Sequence, residues 1–199
     1  MKRLTLYTLT AIAGFVFGGA LALQMSGLIG QRSALAFADV NVDGWVSDWS
    51  IGSASADGYT RARVARHGLL ALSKTEAVYF TRKTDDTGET LRETCDYALT
   101  GGALDALWWS ITLYDAQSRL PANTDKALSI DASQIGRNDS WSAVISKTRP
   151  DVGPWISSRA AGTFDLTLRL YRPDADIIDN PNAALNAPKL SKLKCEGEL

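Results

Sequence analysis

Arg169 sits in the middle of an alternating run, Thr163–Tyr171 (TFDLTLRLY). Phe164, Leu166, Leu168 and Leu170 fall on one face, and Thr163, Asp165, Thr167, Arg169 and Tyr171 on the other. A second such strand is predicted at Trp108–Tyr114 (WWSITLY), with Trp108, Ser110, Thr112 and Tyr114 on one side. If these two polar-aromatic faces meet, they line a groove with aromatic walls and one guanidinium. Rings pack on the apolar faces of sugars, and Arg makes paired hydrogen bonds to a carboxylate or phosphate. Arg169, Tyr171, Trp109, Ser110 and Tyr114 are therefore the candidate ligand-binding residues, for an anionic or sugar-like ligand. The competing reading is an Arg169–Asp165 pair on a solvated sheet face.

Other chemistries have less behind them. His67 is the single imidazole, and no G-x-S-x-G supplies a nucleophile for it to activate. Ser191-Lys192-Leu193-Lys194 spells S-x-x-K, the spacing of Ser/Lys acyl enzymes on a helix, but the companion motifs are missing. Asp85–Glu89 (DDTGE) groups three carboxylates around a glycine. A calcium loop needs more oxygen ligands at fixed positions, so a hairpin turn is expected instead. P-loop, G-x-G-x-x-G, C-x-x-C and H-E-x-x-H patterns do not occur. No catalytic residue, metal or cofactor is assigned. Paired carboxylates can hydrolyse glycosides without histidine. Asp105, Asp115 and Asp165 therefore carry an alternative reading, a hydrolase acting on an envelope glycan or lipid-linked substrate.

The 199 residues include 21 Lys and Arg against 22 Asp and Glu, a net charge of −1. A nucleic-acid binder would show a basic excess, so none is expected as a partner. With 45% hydrophobic and 22% charged residues the chain is globular rather than disordered.

Lys2 and Arg3 precede a charge-free run from Leu4 to Gln31, about 42 Å long as a helix. That exceeds the bilayer core of about 30 Å, so residues 1–31 read as a cytoplasmic stub and transmembrane anchor, with residues 4–30 in the inner-membrane bilayer. Retention of positive charge in the cytoplasm places the C-terminal body in the periplasm. A cleaved signal peptide is the rival, since Ala34-Leu35-Ala36 and Ala36-Phe37-Ala38 suit cleavage after Ala36 or Ala38. The apolar stretch is longer than the usual h-region of about 7–15 residues, which favours the uncleaved anchor. Gly14 and Gly18 form a G-x-x-x-G that could let two anchors pack, or merely face lipid. In an oxidising compartment Cys95 and Cys195 read as one disulfide.

Residues 32–44 read as a tether and 45–199 as one β-rich domain. Asp57-Gly58 can cap a helix from Tyr59 to about Ser73, with Ala62, Ala65, Leu69 and Leu72 on one face. Strands are predicted at Glu76–Thr81, Leu91–Thr100, Trp108–Tyr114, Leu128–Asp131, Trp141–Ser146 and Thr163–Tyr171, the last ended by Pro173. The tail after Asp174 reads as irregular. The expected fold is mainly β (α+β): an antiparallel sandwich or barrel-like sheet with one flanking helix, preceded by a single transmembrane helix.

Four stretches together resemble a known bacterial family. They are Tyr59-Thr60-Arg61-Ala62; Cys95-Asp96-Tyr97 with Trp108–Asp115; Leu120, Asn123 and Ser129-Ile130; and Gly162–Pro173 (GTFDLTLRLYRP). The family is domain of unknown function 1214, and the resemblance covers most of residues 45–195. It implies an envelope protein with a mainly β fold and brings no activity with it. Many members carry Asn-Trp-Leu-Pro before the last strand, where this chain reads Pro154-Trp155-Ile156-Ser157. The expected function is a non-catalytic module binding an unknown envelope ligand or protein.

Overall fold

A computed structural model describes residues 2–29, 38–54, 56–66, 72–136 and 140–197. The chain divides into two compact units, Met1–Ala36 with Ser50–Ala71, and Phe37–Trp49 with Leu72–Leu199.

The first unit holds two helices. α1, Lys2–Met25, is apolar on all sides, and its stretch Arg3–Met25 is long and apolar enough to cross a membrane. It stops short of the apolar run that continues to Gln31. Gly27 takes φ +72, and the Gly27 and Leu28 amides donate back to Gln24 O and Leu23 O. That double bond with a left-handed glycine is the Schellman stop. α2, Gly58–Arg66, begins where Thr60 N donates to Asp57 Oδ1 at 2.7 Å, the cap expected from the sequence. Leu72 and Ser73 are not helical. Residues 67–71, with His67 and Leu69, lie outside the described residues, as do Arg32 and Ala34–Phe37.

The second unit contains ten described strands: β1 Val40–Val42, β2 Trp45–Ser47, β3 Ala77–Arg82, β4 Cys95–Gly102, β5 Ala106–Asp115, β6 Ser129–Asp131, β7 Ser140–Ser146, β8 Trp155–Ser157, β9 Phe164–Pro173 and β10 Lys189–Cys195. Six form an antiparallel sheet in the order β1-β2-β3-β9-β5-β6, and four form a second sheet, β10-β4-β7-β8. Among the described residues both sheets stay open, so the fold is mainly β without a closed barrel. The β7–β8 pair is parallel, a departure from the wholly antiparallel expectation. Its strands are linked through residues 147–154, a loop that folds back alongside β7 and brings Val144 N to Pro154 O.

One core lies between the sheets. Leu166, Leu168 and Leu170 of β9, Ile111 and Leu113 of β5 and Phe80 of β3 meet Tyr97, Leu99, Ile145 and Ile156 from the second sheet. Full burial of each such aliphatic side chain contributes about 1.5–3 kcal/mol. Tyr97 meets Phe164 edge-on at 5.9 Å, and Trp109 stacks on Trp141 at 5.1 Å. Gly101 is required there: a Cβ at this position would come within 2.3 Å of the Trp141 ring.

Three expectations need correction. β1 falls within the stretch read as a tether. The second predicted strand begins at Cys95 rather than Leu91. The tail is ordered: α4 (Ala175–Asp179) and α5 (Pro181–Ala184) lead into β10, which pairs along β4 and sets Cys195 directly opposite Cys95. These two cysteines form the disulfide.

The tail is fixed by a buried arginine. Arg82, 3% exposed, donates to Thr84 O at 2.8 Å, to Asp86 Oδ1 at 2.7 Å and to Pro188 O at 3.2 Å. Trp45 Nε1 reaches the same Pro188 carbonyl at 2.7 Å. Asp86 in turn accepts from Leu190 N at 3.0 Å and Ser191 Oγ at 3.1 Å. Burial alone would raise the Asp86 carboxyl, but the Leu190 amide, Arg82 and Ser191 outweigh it and hold it below the ordinary range. Arg82→Ala removes three donated hydrogen bonds, leaving Pro188 O to Trp45 and the Asp86 carboxylate to Leu190 and Ser191. It should lower unfolding free energy by about 1.5–3 kcal/mol in urea titration. A loss below about 1 kcal/mol would show that the tail is held by other contacts.

Candidate ligand-binding face

β9 is central in its sheet, with β3 on one side and β5 on the other. In the β5–β9 register, Trp108 lies opposite Tyr171, Ser110 opposite Arg169, Thr112 opposite Thr167 and Tyr114 opposite Asp165. Directly opposed residues project to the same face. The two polar-aromatic faces therefore do come together, side by side on one sheet. From β3, Tyr79 lies opposite Arg169 and Thr81 opposite Thr167. Sequence reasoning missed these two. Their signal was present, because Tyr79 and Thr81 alternate with the core residues Val78 and Phe80.

Of the five predicted ligand-binding residues, Arg169, Tyr171, Ser110 and Tyr114 share this face. Trp109 does not. It is one residue out of phase, points into the core and is 5% exposed. Its edge lines a separate cleft of about 580 Å³ with Trp141, Leu104, Asp105 and Arg172. Trp108 takes the place beside Arg169's neighbours, its ring 5.4 Å from that of Tyr171 and its Nε1 donating to Ser133 Oγ at 3.0 Å.

Arg169 is half-buried at the centre. Its Nη1 donates to Thr112 Oγ1 at 3.0 Å, its Nη2 donates to Tyr114 Oη, and its guanidinium carbon stands 5.4 Å from the Tyr114 ring centre. Among the described residues no carboxylate forms an ion pair with it. Asp165 is four positions along the same strand, about 13 Å away. Hydroxyls surround the site: Thr81 Oγ1 lies 3.4 Å from Thr167 Oγ1, and Ser110 and Thr167 are buried on the same face. Burial, and next the neighbouring Tyr171, push the Tyr79 hydroxyl above its usual pKa, against a smaller opposing effect of Arg169.

The acid–base candidates divide. Asp105 precedes β5, where its carbonyl accepts from Asp174 N at 2.9 Å, while Asp115 ends the same strand about 30 Å away. Asp115 lies opposite Phe164, one position from the Tyr114–Asp165 pair, and its charge raises Asp165. The Asp115 carboxylate is engaged in its own turn by the amides of Gln117 and Arg119, both at 2.9 Å. Burial lifts Asp165 from 3.8 to about 6, with Lys83 opposing the rise and Asp115 adding to it.

The remaining motifs are structural. Ser191 and Lys194 lie on β10 rather than a helix, with Ser191 bonded to Asp86 and Lys194 3.5 Å from Asp96. In the DDTGE turn, Asp85 Oδ1 accepts from Thr87 N, Thr87 Oγ1 and Glu89 N, and Gly88 takes φ +90. Trp155, in the place of the Asn-Trp-Leu-Pro stretch, donates from Nε1 to Ser146 O at 3.1 Å. Among the described residues no cluster of His, Cys, Asp and Glu could hold a metal ion.

A family profile described as "Protein of unknown function (DUF1214)" matches residues 76–175. That region runs from β3 through β9. Among solved structures, the VPA0106 protein from Vibrio parahaemolyticus superposes with a TM-score of 0.56 at 22% identity, over 70% of this chain and 36% of that one. An uncharacterized protein from Burkholderia cenocepacia matches with a TM-score of 0.44 at 12% identity, over 59% of this chain and 30% of its own. This chain thus spans about a third of those proteins, and the first likeness extends to the fold alone. No curated protein matches the sequence.

The Asp165 environment predicts a pH signature. A carboxyl at about 6 when folded and 3.8 when unfolded binds more protons in the native state between those values. Its stabilising contribution is therefore full below pH 3.8, falls as pH rises, and is gone above about 6. Asp165→Asn should be more stable than the parent at pH 7, by up to about 3 kcal/mol, with the advantage closing near pH 4. Thermal unfolding across that range checks it, and an advantage independent of pH would place the cause outside Asp165 ionisation.

Proposed function

The chain belongs to the DUF1214 family of proteins of unknown function, and from that starting point we propose that it is a membrane-anchored envelope protein whose β domain binds an anionic ligand without turning it over. α1 supplies the anchor, in the inner membrane. Lys2 and Arg3 before the span favour a cytoplasmic N-terminus, and the Cys95–Cys195 bridge suits an oxidising periplasm.

The observation that carries the binding reading is the state of Arg169. A half-buried guanidinium, bonded to the hydroxyls of Thr112 and Tyr114, keeps most of its five N–H donors for a visitor. Trp108 and Tyr171 give the same face aromatic surface, while Tyr79, Ser110, Thr81 and Thr167 are buried within it. A carboxylated sugar or a phosphate ester fits such a surface. Carboxylates can take both guanidinium nitrogens, and ring faces can lie on the aromatics.

Calorimetric titration of the full chain in detergent with D-glucuronate and with inorganic phosphate tests this. Arg169→Gln should weaken binding of the preferred probe by about tenfold or more while leaving the unfolding temperature unchanged. Equal binding by parent and variant overturns the assignment of Arg169. Unfolding of both Arg169→Gln and Tyr114→Phe would make the face structural.

A second reading has one specific observation in its favour. Asp165 at about 6, beside Asp115, is a carboxyl poised to give and take a proton near neutrality. A hydrolase acting on an envelope glycan or lipid-linked substrate would lose turnover in Asp165→Asn. Purified peptidoglycan incubated with the parent chain and left uncut under conditions where D-glucuronate binds would dispose of the glycan form of this reading.

A further inference from the structure

The inward side of the first sheet changes character where β9 ends and β5 begins. Leu166, Leu168 and Leu170 of β9 face the core, and the same alternation continues into Arg172 and Asp174. On β5, Leu113, Ile111 and Trp109 are buried in the core, and the alternation runs back through Leu107 to Asp105. Arg172, Asp174, Asp105 and Leu107 all line the cleft of about 580 Å³ that opens beside the stacked Trp109 and Trp141. This cleft lies on the opposite side of β5 and β9 from the Arg169 face.

Its three charged side chains are not satisfied within the protein. Among the described residues Arg172 has no ion pair, and only its backbone amide is bonded, to Glu76 O at 2.8 Å. Its backbone takes φ +48, a region that costs an L-residue free energy and is retained most often at functional sites. Asp174 holds the position at which an aspartate ordinarily caps the following helix, yet its carboxylate makes no capping bond to α4. Ala106 pairs with Pro173, and just beyond them Asp174 N donates to Asp105 O at 2.9 Å. The two aspartates therefore stand side by side on adjacent chains, where like charges are unfavourable until a cation joins them.

Trp109 adds an observation independent of charge. It is 5% exposed and borders the cleft, and its Nε1 has no acceptor among the described residues. Trp45, Trp108, Trp141 and Trp155 each donate from Nε1 to a protein oxygen. A buried indole N–H usually finds such a partner. Trp109 thus offers a donor on the same cleft as the Arg172 guanidinium.

We infer that this cleft binds a basic amino acid, its carboxylate held by Arg172 and Trp109 and its ammonium groups by Asp105 and Asp174. Charge selects the class. One guanidinium and two carboxylates are matched by a ligand with one carboxylate and two ammonium groups. Leu107 and Leu104 supply apolar surface for the methylenes between them.

The test is calorimetric titration of the full chain in detergent with L-lysine, with L-norleucine, which lacks the second ammonium, and with cadaverine, which lacks the carboxylate. Each analogue should bind about tenfold or more weakly than lysine. Glycine suits the left-handed backbone, so Arg172→Gly should unfold at or above the temperature of the parent while its lysine affinity falls about tenfold or more. Asp174→Asn should weaken lysine to a similar degree. No lysine binding by the parent at about 10 mM, an analogue equal to lysine, or unchanged affinity in either variant overturns the inference. Early unfolding of Arg172→Gly would make Arg172 structural and overturn it as well. Excess D-glucuronate should leave the lysine affinity unaltered. Displacement of lysine by it would move lysine to the Arg169 face, overturning the cleft assignment and leaving that face standing.

Discussion

A guanidinium removed from water must have its donors satisfied, and Arg82 imposes that requirement on the corner where the two sheets join. Its partners are Thr84 O, the Asp86 carboxylate and Pro188 O. Satisfying them fixes the turn after β3 and the entry to β10 at once. Asp86 extends the constraint to Leu190 and Ser191, so β10 begins in one register against β4. That register ends with Cys195 opposite Cys95, where the disulfide forms. The bridge closes a loop of about 100 residues, for which chain entropy gives about 4.7 kcal/mol as an upper figure. The ion pair selects the register and the covalent bond then holds it.

Two aspartates show how the same side chain is tuned in opposite directions. Asp86 and Asp165 both lose solvation, which raises a carboxyl. Around Asp86 a backbone amide, a guanidinium and a hydroxyl donate to the ionised form and reverse the effect. Around Asp165 burial dominates, Lys83 is the opposing charge, and Asp115 adds repulsion. Asp86 is thus a structural anion and Asp165 a group that titrates near neutrality. The difference is set by which donors and charges surround each carboxylate.

The candidate face owes its rigidity to the core behind it. β9 is flanked on both sides, and its inward leucines are buried among β5, β3 and the second sheet. Arg169 alternates with those leucines, so the strand that makes the core also fixes the guanidinium. A binding group on a central strand loses little conformational freedom when a ligand arrives.

Much of this was legible in the sequence. Period-two alternation in TFDLTLRLY and WWSITLY located β9 and β5 and separated core from surface residues, because a strand cannot turn one residue without its neighbours. The apolar run and the Asp57 cap were legible because each is a local signal with a local cause, and the cysteine pair was legible from its even count in an oxidising compartment. Trp109 is the exception among the candidates: the alternation that sets Trp108 on the polar face sets Trp109 in the core. β1, β2, β8 and β10 are short or polar, and their strand character comes from the partner they pair with rather than from their own residues. The tie between α1 and α2 is the Arg63 bond to Met25 O, between residues 38 positions apart. That Arg169 and Tyr79 adjoin, that Asp165 faces Tyr114, and that Arg82 meets Pro188 were decided only by strand order. Register between distant segments is a property of the whole packed sheet, and no single stretch of sequence contains it.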